Sequence, residues 1–161
     1  MLIHADVKGL EVVCAAYLSR DPVLIQEIWD NNKNPEMDDL HTNNKKQFDL
    51  PDRTTAKRFT FKILYGGSDY GFSIDNKFNH VSKQRSYWTT VIEQFYRKYK
   101  GIAAWHENLH KEVLDRGSLT TPTGRQFIFD RADVAKRPWF WLPKIKNYPV
   151  QSLGADVVAI G

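Results

Sequence analysis

The sequence predicts an α+β chain, mostly helical with a few short strands, on three observations. Apolar residues recur at helical spacing through most of the chain. Helix start signals stand at Asp21-Pro22 and Pro51-Asp52, each an acid beside a proline at the edge of an apolar-periodic run. Residues 119–121 and 126–129 flank Pro122-Thr123-Gly124 and have the composition of a tight strand pair. No repeat, low-complexity tract or Ser/Gly linker divides the chain.

The elements follow in order. Leu2, Ile3 and Ala5 make a short strand-like run ending at Asp6; after Gly9, the residues Leu10, Val13, Cys14, Tyr17 and Leu18 share one helical face. Asp21 caps a helix with Pro22 at its first position and Leu24, Ile25, Ile28 and Trp29 on its apolar side, closed by residues 31–35. A polar helix over 37–48 carries His41, and a strong helix runs from Asp52 to Tyr65, stopping at Gly66-Gly67. Trp88, Val91, Ile92, Phe95, Tyr96 and Tyr99 mark the next helix. Ile102, Trp105, Leu109 and Val113 mark another, ended by Gly117. Residues 131–143 read as an irregular basic and aromatic loop, and helical spacing resumes at Tyr148 or Pro149.

With 161 residues there is room for one core, and 42% hydrophobic with 26% charged residues is the balance of a folded chain, which argues against a disordered tail or a fibre. No apolar run approaches the ~20 residues of a bilayer span, so no membrane partner is expected. Cys14 is the only cysteine, which excludes a disulfide within the chain. A net charge of +4 suits a nucleic-acid or nucleotide partner and equally suits proteins that bind neither. No signal peptide is visible at the start, which suggests a cytoplasmic protein. The abrupt start, and the apolar end at residues 155–161, suggest an internal piece of a larger protein.

Arg53, Lys57, Phe61 and Tyr65 are spaced by four, so they form one slowly drifting stripe about 18 Å long on their helix. Ala56, Phe59, Ile63 and Leu64 lie on the other face and can supply the core contact. Arg53, Lys57 and Arg58 occupy the first turns, where the helix dipole makes a cation unfavourable by roughly 0.3–1 kcal/mol. Two readings are open. A polyanion such as a triphosphate docks there, with the aromatic rings further along stacking on bases; or the stripe is a solvated basic helix end with two half-buried aromatics. Asp6, at a strand end with Glu11 close by, either holds Mg²⁺ or caps a helix.

Together these residues resemble the family A DNA polymerases, the bacterial polymerase I type. Asp6 and Glu11 resemble the family's first motif, an aspartate at a strand end with a glutamate five residues on. Arg53, Lys57, Phe61, Tyr65 and Gly66 match the second, Arg-x3-Lys-x3-Phe-x3-Tyr-Gly, position for position. Thr123-Gly124-Arg125 is similar to the family's hairpin, while Asn147, Tyr148, Pro149, Val150 and Gln151, followed by Ala155-Asp156, are similar to the helix leading to the third motif. The likeness implies a mostly helical fingers subdomain inserted in part of a small antiparallel β palm: 1–20 first palm part, 21–115 fingers, 116–161 second palm part, truncated.

The resemblance also implies roles. Asp6 coordinates two Mg²⁺ ions, Arg53 and Lys57 hold the dNTP triphosphate, Lys57 donates a proton to the pyrophosphate, and His41 touches the β-phosphate. Phe61 packs by the sugar, Glu11 crowds the 2′ position, and Tyr65 stacks at the templating base. Asn147 and Gln151 reach the minor groove of primer-template DNA, and Arg125 its backbone. Nothing identifies a processivity factor. Several positions depart from the family. Lys8 and Val13 replace its serine and arginine around Glu11, Pro143 replaces an arginine, and the His-Asp pair that carries the second catalytic carboxylate is absent from the sequence. The Lys8-Gly9 variant is more similar to phage replicative polymerases, and the missing carboxylate implies that the isolated fragment is inactive.

A second motif points elsewhere. His106-Glu107-Asn108-Leu109-His110 spells the zinc-hydrolase signature, with two histidines on one helical face and Glu107 as base. No third ligand follows at the usual spacing, and both histidines flank an apolar stripe, so a solvated helix face is the simpler reading.

Overall fold

A computed structural model of the chain describes residues 9–130, 132–134 and 137–160. It is mostly helical: α1 (Leu10–Ser19), α2 (Pro22–Lys33), α3 (Leu40–Gln47), α4 (Arg53–Leu64), α5 (Asp69–Ser73), a 3-10 turn (Asn76–Phe78), α6 (Arg85–Lys98), α7 (Lys100–Arg116) and α8 (Leu142–Ile160). Between α7 and α8 lie two antiparallel pairs, β1 (Ser118–Thr120) with β2 (Gln126–Ile128), in register Leu119 to Phe127, and β3 (Ala132–Val134) with β4 (Arg137–Trp139). The α+β class with a small antiparallel component holds.

Side-chain caps set the helix starts. Asp21 accepts from the Val23 and Leu24 amides at 3.0 Å, Asp39 from Thr42 at 2.9 Å, and Asp52 from Thr55 at 2.8 Å. Asp39 thus starts α3 at Leu40 and not at Met37. Residues 131–143 are not one irregular loop, since they hold β3, β4 and the first turn of α8. Pro143 is the start signal of that helix, for in the first turn its missing N–H costs nothing; Pro149 is buried inside the helix, not at its beginning. The short elements between Ser68 and Phe78 had no periodic signal.

The main core is aromatic. Phe59, Phe72, Phe78, Trp88 and Phe95 are almost fully buried, with Phe72 stacked on Trp88 at 4.9 Å between centroids and set edge-on to Phe78 at 5.0 Å. Ala56, Phe59, Ile63 and Leu64 supply the buried face of α4, as the spacing predicts. A smaller core gathers Val113, Leu119, Phe129, Phe140 and Ile145, and Trp105 packs against both.

Two predicted apolar faces are corrected. On α1 the buried residues are Val12, Cys14, Ala15 and Ala16, whereas Val13 is 46% and Tyr17 53% exposed. The reason is size: α1 packs on α7 and α8, and a Cβ added at Gly154 would meet Leu10 at 3.3 Å and the Cys14 sulfur at 3.8 Å, so small side chains face the close approach. On α2, Leu24 is buried, but Ile25 and Trp29 are exposed.

Asp21 does more than cap α2. Its other oxygen accepts from the Gly101 amide at 2.6 Å and the Ile102 amide at 3.3 Å, tying the first turn of α7 to the start of α2. Gly101 is obligatory there, because a Cβ would lie 2.6 Å from the Asp21 Cα. Asp21→Ala loses a cap and orphans buried amides, and should lower stability by about 2–4 kcal/mol in urea denaturation.

Candidate functional site

Burial of Phe59 and Ile63 turns the opposite side of α4 outward. Arg53 and Lys57 are exposed, Phe61 and Tyr65 half-buried. α3 packs alongside, placing the His41 ring 5.8 Å from the Phe61 ring. Between these helices, α2 and the start of α1 lies a cleft of about 530 Å³, lined by Glu11, His41, Arg53, Lys57 and Phe61 together with Asp39 and Glu27. Five residues predicted from sequence to grip one nucleotide therefore converge on one cavity. Asp6 lies outside the described residues.

The electrostatics of the cleft differ from the sequence expectation in one respect. A polyanion docked at the start of α4 would meet an end already capped, for Asp52 accepts from the Thr55 amide and, at 2.7 Å, from its hydroxyl. Arg53 is likewise engaged: its Nε lies 3.1 Å from Asp39 Oδ2, and its Nη2 also donates to that oxygen. Arg53 is thus paired with Asp39, while Asp52 serves the start of the helix through Thr55. Burial alone would raise the Asp39 carboxyl; the hydrogen bonds from Arg53 and Thr42 outweigh it and hold the group well below the usual carboxylate range. Lys57 has no carboxylate within 4 Å among the described residues, and its ammonium sits 5.9 Å over the Phe61 ring. His41 is pushed down to about 4, first by burial and then by the charges of Arg53 and Lys57, with Asp39 opposing. Its Nδ1 has no partner among the described residues.

Tyr65 ends α4 as its C-cap, and its hydroxyl accepts a hydrogen bond from Gln151 Nε2 at 2.6 Å. Burial, with the nearby Glu11 charge, pushes the phenol up to about 12. The contact is possible because Gly66 takes φ +83° and lies under α8; a Cβ there would meet Lys146 at 3.1 Å and Pro143 at 3.3 Å. Asn147 lies one turn before Gln151 on the same face of α8. Arg125 stands apart from the cleft. Its Nε lies 2.7 Å from Asp156 Oδ1, Thr123 donates to the other oxygen at 2.5 Å, and the β1–β2 turn is thereby pinned to α8.

The zinc motif does not assemble. His106 is buried with its Nδ1 3.1 Å from the Tyr96 hydroxyl, and burial, followed by the Lys146 charge, holds it well below its usual pKa. Glu107 points outward to Lys111 at 2.7 Å. His106, Glu107 and His110 do border a second cleft of about 360 Å³, but no three His, Cys, Asp or Glu residues gather at ligand distance among the described residues. Sequence reasoning passed over Asp39, Glu27, Asn44 and Lys98. Asp39 had a signal, an acid two residues before His41 at a helix start; the other three are polar residues that only packing brings together.

Over residues 1–161 the chain matches the family described as DNA polymerase family A. It is 26% identical over 170 residues to DNA polymerase I of Caldicellulosiruptor bescii, covering 99% of this chain and 19% of that protein, and 24% identical over 165 residues to DNA polymerase I of Aquifex aeolicus, covering 98% and 27%. A solved structure of the POL domain of Pol1 from M. smegmatis, in complex with DNA primer-template and dNTP, superposes with a TM-score of 0.74 at 20% identity, over 95% of this chain and 27% of that one. This chain belongs to DNA polymerase family A. It spans about a fifth to a quarter of the length of these relatives. No helix among the described residues is long and apolar enough to cross a membrane.

The buried histidine makes a measurable prediction. A folded-state pKa of about 4, below the value of 6.5 for a free side chain, means that His41 contributes fully to stability above pH 6.5 and that this share is lost as pH falls towards 4. NMR titration should find His41 titrating near pH 4, and Lys57→Ala should move that midpoint upward.

Proposed function

We propose that this chain is the nucleotide-gripping part of a template-directed DNA polymerase, which transfers a nucleotide from a dNTP to a primer 3′ end. The convergence of Glu11, His41, Arg53, Lys57 and Phe61 on one cleft carries the reading. Membership of DNA polymerase family A supports the reaction class, and the neighbour solved with DNA primer-template and dNTP supports those partners. We assign 1–20 and 116–161 to the palm and 21–115 to the fingers; the separate small core from Leu109 onward supports the second boundary. A cytoplasmic site of action goes with this reading.

In nucleotidyl transfer the primer 3′ hydroxyl gives its proton to solvent as its oxygen forms a bond to the α-phosphorus, the bond from that phosphorus to the pyrophosphate oxygen breaks, and the leaving group takes up a proton. Lys57, the exposed cation beside Phe61, binds the triphosphate and supplies that proton. Arg53 meets the phosphates with the guanidinium edge left open by Asp39. His41 faces the same phosphates, and an anion beside it favours its protonated form, so nucleotide binding takes up protons at pH values above about 4. Phe61 packs against the sugar and Glu11 fills the space a 2′-hydroxyl would need. Tyr65 stacks beside the templating base, Asn147 and Gln151 read minor-groove acceptors, and Arg125 touches the DNA backbone. Asp6, outside the described residues, is the residue that would hold a divalent ion such as Mg²⁺, which when bound would supply charge neutralisation at the phosphates.

In the full-length protein, Lys57→Ala and Asp6→Ala should each cut primer extension by a factor on the order of 10²–10⁴ with folding unchanged by circular dichroism. Near-normal extension by either variant refutes the assigned roles. Glu11→Ala should lower the preference for dNTP over ribonucleotide in the same assay.

A further inference from the structure

Beneath the cleft lies a polar cluster that none of the assigned roles uses. Asn44, fully buried on α3, donates from Nδ2 to the Thr60 hydroxyl on α4 at 3.1 Å, and Thr60 in turn donates to the Ala56 carbonyl at 2.9 Å. The Asn44 carbonyl oxygen accepts from Lys98 Nζ at 2.8 Å, which fixes the orientation of the amide because an ammonium can only donate. Lys98 also donates to Glu27 Oε1 at 2.7 Å, and the Tyr99 hydroxyl sits between Glu27 Oε2 at 2.6 Å and Asn44 Oδ1 at 2.9 Å. Three helical segments, α3, α4 and the end of α6, thus meet on one side-chain amide, and α2 joins them through Glu27.

The placement of that amide relates it to the cleft. Asn44 is three residues after His41 on α3, and Thr60 is three residues after Lys57 and one before Phe61 on α4. The Asn44–Thr60 bond is therefore a pin between the two helices about one turn below the groups that line the cavity. At the other end of the same pair Asp39 holds Arg53, so α3 and α4 are fastened at two points with His41 between them. A buried amide that satisfies a lysine, a tyrosine and a threonine at once has one geometry, and apolar packing alone would permit sliding of one helix along the other.

We propose that Asn44, acting through Thr60, is a positioning residue that sets the register of α3 against α4, and so the placement of His41 opposite Lys57 and Phe61. This rests on the reading of the cleft as the dNTP site. It predicts an effect on nucleotide affinity without contact between Asn44 and nucleotide.

Thr60→Val, which keeps shape and removes the hydroxyl, should raise the KM for dNTP in the full-length protein by about three- to tenfold with kcat changed less than about twofold and the Kd for primer-template unchanged. Thr60→Ser, which restores the hydroxyl, should return KM to the wild-type value. Asn44→Ala and Thr60→Val combined should raise KM by less than the product of their separate effects, since both break one pin. A direct readout needs no activity: the histidine NMR signal of His41 should shift in Thr60→Val and return in Thr60→Ser. An unchanged KM and an unchanged His41 signal in Thr60→Val overturn the proposal, as does strict multiplicativity in the pair. Should the unmodified protein fail to extend primers, the reading of the cleft falls, and the His41 signal still decides the register.

Discussion

Burial of Phe59 is the constraint on which the site depends. Its ring packs against Phe48, Phe72, Trp88 and Phe95 at centroid distances of 5.9, 5.2, 6.2 and 5.8 Å. Residues two positions away along a helix point about 200° away. Driving Phe59 into this aromatic cluster therefore forces Lys57 and Phe61 to the other side of α4, where Arg53 and Tyr65 extend the same stripe. Core and site are opposite faces of one helix, and the same packing that stabilises the first presents the second.

The cleft is charged but not unbalanced. Asp39 answers Arg53 at the start of α4, while Lys57 keeps only an aromatic neighbour among the described residues. Such an arrangement has a use in binding polyanions: Arg53 is oriented before a ligand arrives, so less side-chain freedom is lost on contact. His41, kept neutral by burial and by Arg53 and Lys57, is the group whose charge a phosphate would change most readily.

The far end of α4 is governed by backbone and not by charge. Gly66, in the left-handed region and pressed beneath Pro143 and Lys146, lets α8 lie across the helix end and brings Gln151 to Tyr65. Asp156, buried further along α8, fixes the β1–β2 turn through Arg125 and Thr123. One long helix thus joins the cleft side of the chain to its small antiparallel part.

The sequence alone determined the four-spaced stripe, the buried face behind it, the caps at Asp21 and Asp52 and the β1–β2 turn, because each depends on local periodicity or on contacts within a few residues. It also determined the family, since order and spacing of motifs survive in the linear chain. Tertiary structure alone decided which side of α1 and α2 is buried: hydrophobic periodicity favours Val13, Tyr17 and Trp29, but close approach to α7 and α8 selects small residues on α1. It alone decided that Pro149 sits inside a helix begun by Pro143, and that Arg53 and Arg125 carry aspartate partners 14 and 31 residues away in the chain. The convergence of Asn44, Glu27, Lys98 and Tyr99 was likewise invisible, as their separations of 54 to 72 residues for the pairs that meet carry no periodic signal. Local patterns encode which face a helix shows; only packing of the whole chain encodes what that face meets.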